Sequence, residues 1–147
     1  MNKNTKRKLE NLAAFIEKLP RKAFNINIWA KNNKRHFDSD GKIVPRNIVS
    51  KKDLNNLEEC GTTCCIAGWQ VVRKGFSVTN LGTVSKGGKF INSAPILAAE
   101  QLGLNLDESS ALFYPRESKL RVLTGKTFTN TPKGAAKRIR YFIKNGI

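Results

Sequence analysis

The chain has 147 residues, 39% hydrophobic and 26% charged, with 27 Lys+Arg against 11 Asp+Glu, a net charge of +16 and an isoelectric point near 10.2. That length is enough for one domain with a real core, and no apolar run approaches the roughly 20 residues of a bilayer-spanning helix. The charge excess favours polyanionic partners, meaning nucleic acid, a nucleotide or an acidic protein surface. It is also uneven. Residues 1–59 carry 14 basic and 7 acidic side chains, residues 60–115 carry 4 and 3, and residues 116–147 carry 9 and 1. A nearly neutral middle between basic ends suggests that the middle is core and the ends present the charge.

In chain order, Leu9, Leu12, Ala13, Ile16 and Leu19 recur at steps of three and four, so Thr5 to Leu19 is expected to be an amphipathic helix ended by Pro20. Phe24, Ile26 and Ile28 alternate with polar residues and predict a short extended segment anchored by Trp29. Lys31 to Glu59 is rich in Asn and Lys, with a turn signal at Asp38–Gly41 and Pro45 inside its one apolar cluster; it reads as a long basic loop. Around Lys42–Val49 a strand-turn piece is conceivable, and Asp53–Glu58 suits a helical turn.

Thr62 to Lys74 then reads as a central helix, capped by Thr62 or Thr63 and closed by Gly75. Its apolar positions nearly encircle it, which predicts burial, and Gly68 in its interior predicts close approach of another element. Phe76 to Asn92 reads as a hairpin turning at Gly87–Gly88. Ser93 to Leu102 is a helix with Pro95 in its first turn and Gly103 at its end. A shorter one capped by Asn105 or Asp107 stops before Pro115, and Glu117–Leu123 is a weaker third. Thr131-Pro132 opens a last helix running to about Asn145. There Ala136, Ile139 and Ile143 form an apolar stripe and Lys133, Lys137, Arg140 and Lys144 a cationic one, flanked by Arg138 and Tyr141. The expectation is a mainly α-helical fold: one domain over residues 1–147, packed around the buried central helix, with one small β-hairpin.

Two constellations carry candidate chemistry. The three cysteines lie within six positions, Cys60, Cys64 and Cys65, an odd and clustered count unlike a disulfide framework, so reduced thiols are expected. A structural zinc would need further ligands, and the only histidine is His36; no metal and no other cofactor is expected. If Cys60 or Cys64 stood at a helix start its thiolate would be stabilised, and His36 with Asp38 or Asp40 could complete a nucleophilic site. Alternatively Cys60, Gly61, Thr62 and Thr63 form a cradle of N–H and hydroxyl groups for an anion or nucleotide. The plainest reading treats the cysteines as small core hydrophobes. The second constellation is the last helix, with Lys133, Lys137, Arg138, Arg140 and Lys144 as candidate phosphate contacts and no recognisable base-reading module beside them.

At Cys60-Gly-Thr-Thr-Cys-Cys-Ile-Ala-Gly-Trp69 the sequence resembles a loose family of small bacteriophage and bacterial proteins with a Cys-Gly-Thr-x-x-Cys-x-x-Gly-Trp/His helix motif. Leu9–Leu19 and Phe24–Trp29 match the lead-in of that pattern, and Leu102-Gly-Leu104, Ala111-Leu-Phe113 and the closing Thr-Pro helix look similar too. Cys65 and the long Lys31–Glu59 insertion are not part of it. The resemblance implies a phage or mobile-element origin and no settled activity. The expected function is therefore a non-enzymatic binding protein, a phage accessory or anti-defence factor acting in the host cytoplasm. Its partner would be nucleic acid, a nucleotide or an acidic nucleic-acid-handling host protein, with no membrane involved. The alternative is a cysteine-nucleophile enzyme using Cys60 or Cys64 with His36.

Overall fold

The structure is a computed structural model that describes residues 1–31, 35–37, 40, 43–45, 48–57, 63–114 and 125–146. Cys60, Gly61, Thr62, Asp38 and the weak helix expected at Glu117–Leu123 lie outside the described residues.

The chain is mixed α and β, which corrects the expectation of a helical domain with a single hairpin. Among the described residues five α-helices, α1 (Lys3–Glu17), α2 (Ile66–Arg73), α3 (Ala94–Leu102), α4 (Leu106–Phe113) and α5 (Pro132–Asn145), pack with three antiparallel β arrangements. The largest is a four-stranded sheet in the order β4 (Ile48–Val49), β6 (Ser77–Thr79), β7 (Thr83–Lys86), β8 (Lys89–Ser93). The others pair β1 (Ala30–Lys31) with β5 (Thr63–Cys64) and β2 (Arg35–Phe37) with β3 (Ile43–Pro45). Much of the stretch read as a loop is thus pairing strand. Runs of two or three residues cannot display the alternation that betrays a strand, and the partners of β1 and β4, such as Val78 opposite Val49, lie far off in the sequence.

The expected hairpin is present as β7 and β8, with Gly87 and Gly88 both at positive φ (57° and 77°), as a tight two-residue turn requires. β6 adds a third strand to it. Helix α1 starts two residues before the expected Thr5 and is capped by Asn2, whose Oδ1 accepts from Thr5 N at 2.8 Å. Its Leu9, Leu12, Ala13 and Ile16 enter the core.

Helix α2 is buried along Ile66–Val72, as its encircling apolar pattern predicts, but it begins four residues later than expected. Cys65 is its N-cap, with Sγ accepting from Gly68 N at 3.5 Å. The burial leaves little room for unpaired polar atoms, and each finds a partner. Trp69 Nε1 donates to Ala23 O at 2.7 Å, and buried Gln70 links Gln101 and Arg73 through its side-chain amide. At Gly68 a distant part of the chain packs against the helix: any Cβ there would run into Trp29 O. Around α2 a single core cluster joins α1, the sheet, α3, α4 and α5.

Candidate functional site

Of the four residues of the expected anion cradle, Cys60, Gly61, Thr62 and Thr63, only Thr63 is described, and it does not stand at a helix start. Thr63 and Cys64 are extended in β5, opposite Lys31 and Ala30, and not at the start of a helix. Thr63 Oγ1 donates to Lys22 O at 2.7 Å, so its hydroxyl hydrogen is spent on the backbone. The helix start, with its free N–H groups, belongs to Cys65 and the residues after it, all buried.

The nucleophile reading fails at Cys64 for the opposite of the reason that raised it. Cys64 has no exposed surface, and burial, with neighbouring Cys65 and Asp53 adding to it, pushes its thiol well above the ordinary range. Cys65 is pushed up to about 11 by burial, against hydrogen bonds from backbone amides that act the other way. Both are neutral thiols at physiological pH and act as small hydrophobes. His36 stands in β2 opposite Val44, in a different ladder from Cys64. No group of three or more His, Cys, Asp or Glu side chains that could hold a metal occurs among the described residues.

The basic helix is a surface, with one member withdrawn from it. Arg138, expected as a phosphate contact, is only 4% exposed. Its guanidinium donates to Leu112 O at 3.2 Å and to Ala111 O, satisfying carbonyls in the last turn of α4. Burial pulls it down to about 10, which still leaves it charged at neutral pH. The sequence held a signal for this. Ala135, Arg138 and Phe142 follow steps of three and four, so Arg138 shares the buried face.

The remaining cations are placed by the packing of α5 along α1. Arg140 Nη1 and Nη2 donate to the two oxygens of Glu17 at 3.0 and 2.8 Å, a bidentate fork, and its Nε lies 3.6 Å from Glu10 Oε2. Lys133 and Lys137 reach Glu17 with their fields. The later residue of α5 therefore meets the earlier one of α1, and the two helices run antiparallel. On α1, Lys3, Arg7, Glu10 and Glu17 follow at steps of four, three and seven along one exposed stripe, with Lys6 beside it. On α5, Lys133, Lys137 and Lys144 follow at steps of four and seven.

The two stripes lie side by side. Glu10 and Glu17 are the only acids in residues 1–31, there are none in 125–146, and both engage Arg140. At the junction of the end of α1 with the start of α5 a cavity of about 390 Å³ is lined by Glu17, Arg21, Thr131 and Lys133 among others. Lys126 closes one side of α5, its Nζ 4.7 Å from the centre of the Tyr141 ring.

The Arg140 fork holds the Glu17 carboxyl below its ordinary value of 4.5, opposed by slight burial and helped by Lys133 and Lys137. A carboxyl lowered in the folded state contributes stability above its unfolded pKa and loses it as the pH falls through the folded one. Wild type should therefore lose melting temperature on acidification below about pH 4.5 more steeply than Glu17→Gln. Parallel acid-side curves for the two proteins, by thermal unfolding, would refute the fork as a stabilising contact.

No protein-family model matches the chain, and no curated protein or solved structure is significantly similar to it. No described helix is long and apolar enough to cross a membrane.

Proposed function

We propose that the chain is a non-enzymatic binding protein that grips the phosphate backbone of a nucleic acid with the paired surface of α1 and α5. One observation carries this reading: the antiparallel pair sets Lys3, Lys6 and Arg7 at the end of the surface where Lys144 stands and Lys133 and Lys137 at the other, while Glu10 and Glu17, the acids of the two helices, are both engaged by Arg140. A rigid pair of helices with cations at helical spacing suits backbone contacts, which position a protein without reading sequence. Arg140 orders the surface by clamping the helices together, and Arg138 takes no part in it. The phage accessory role suggested by the cysteine motif fits a protein of this kind, with host or phage nucleic acid as partner.

Each phosphate neutralised adds about 0.9 to the slope of log affinity against log salt on duplex DNA. The variant Lys133→Glu, Lys137→Glu, Lys144→Glu should therefore flatten that slope by roughly 3 in fluorescence anisotropy with a labelled duplex. All three side chains are exposed, so the melting temperature should hold. Unchanged affinity and slope in this variant would overturn the reading. Pull-down of a host protein that persists after nuclease treatment would redirect it to a protein partner.

A further inference from the structure

On another part of the molecule the chemistry is reversed. From Phe90 to Tyr114 the sequence has Glu100, Asp107 and Glu108 and no lysine or arginine, in a chain of net charge +16. Here α3 and α4 border a groove of about 730 Å³, lined by Ile96, Leu104, Leu106 and Tyr114, with Glu100 and Asp107 among its walls. Leu106 is 85% exposed and Ile96 is 51% exposed. Single exposed apolar side chains are ordinary, but several gathered on a groove mark an interaction surface.

The element next to this groove has the complementary character. β8 runs without a break into α3, and the β7–β8 tip bears Lys86, Lys89 and Phe90. Phe90 is 70% exposed, and Lys89 beside it is exposed too. Lys86 Nζ lies 5.1 Å from the centre of the Phe76 ring.

We propose that the groove receives the β7–β8 tip of a second copy of this chain. Phe90 of each copy enters between Ile96 and Leu106 of the other, and Lys89 meets Glu100. A cation beside an aromatic ring matches an apolar groove with carboxylates on its walls, whereas those carboxylates repel anionic ligands. Because tip and groove occupy consecutive elements, each copy can give its tip and receive the other's about one two-fold axis. That self-complementarity is what a closed dimer needs. Two chains of charge +16 also repel at long range, and salt screens this beyond a Debye length of about 10 Å. Dimerisation should therefore strengthen as salt rises, the reverse of nucleic-acid binding.

Sedimentation equilibrium of the full chain over a range of concentrations tests this. Wild type should form a dimer that tightens with salt. Phe90→Ser and Leu106→Glu, both at exposed positions and so harmless to folding, should each weaken it by roughly tenfold or more. Lys89→Glu should weaken it as well, and adding Glu100→Lys to that variant should restore it. A wild type that stays monomeric overturns the proposal, even if its groove then takes up a Lys-Phe peptide from another protein. So does a dimer indifferent to Phe90 and Leu106, or one that the charge swap fails to rescue.

Discussion

Gly68→Ala is expected to destabilise the protein by about 3 kcal/mol, enough to lower the melting temperature by roughly 6–12 °C in a chain of this size. The direction is opposite to what helix propensity alone predicts, since alanine is favoured over glycine by about 1 kcal/mol in a helix interior. Sterics decide it. The added Cβ would collide with Trp29 O and stand 3.0 Å from Cys64 Cβ, and neither neighbour can step aside alone. Trp29 leads into β1, Cys64 belongs to β5, and the two strands are hydrogen-bonded partners, β5 running directly into α2. Relief requires shifting that ladder away from the helix. At Gly87, where an added Cβ would meet nothing within 4 Å, the same substitution should cost only the backbone strain of a positive φ, about 1–2 kcal/mol. Equal losses at the two sites in urea unfolding would show that Gly68 is not a point of close approach.

Arg138→Met should cost about 3 kcal/mol, although it exchanges a charged side chain for an apolar one of similar length. Two carbonyls at the end of α4 would lose their donors in surroundings where Ala111, Leu112 and Phe113 are buried, and each unsatisfied buried acceptor costs about 1–3 kcal/mol. The cation also faces the negative end of the α4 dipole. Lysine cannot reproduce a fork held by two nitrogens, so Arg138→Lys should recover only part of the loss. One position earlier, Lys137→Met lies on the exposed stripe and should change stability by less than about 0.5 kcal/mol. An Arg138→Met protein that unfolds at the wild-type urea midpoint would remove the structural role and return Arg138 to the set of candidate phosphate contacts.

The contrast between Arg138 and Lys137 also shows what the sequence could reveal. Helix α5 was legible from end to end, because Thr131-Pro132 and the spacing of Ala136, Ile139 and Ile143 are local signals. The caps of α3 and α4 and the Gly87–Gly88 turn were legible for the same reason. The start of α2 was not. Thr62 and Thr63 are chemically better caps than a cysteine, whose sulfur is a weak acceptor. Yet pairing of Thr63–Cys64 with Ala30–Lys31, more than thirty residues upstream, claims that segment as strand and hands the cap to Cys65. At Thr63 and Cys64 this removes the free helix-start amides on which the cysteine readings drew. The reactive-looking centre proves to be core at Cys64 and Cys65. The α1 stripe joined the candidate site only through the Arg140 contacts, which span more than 120 residues and leave no local trace.

The cation-free stretch bordering the groove has a consequence for how the chain is cut. Trypsin cleaves after lysine and arginine, and between Lys89 and Arg116 it finds neither. The basic helices fall to short fragments, while α3, α4 and both sides of the groove leave together as one long peptide, Phe90–Arg116, invisible to amine-directed labels at every side chain. The same uneven charge that separates two surfaces on the folded protein thus separates them again in a digest.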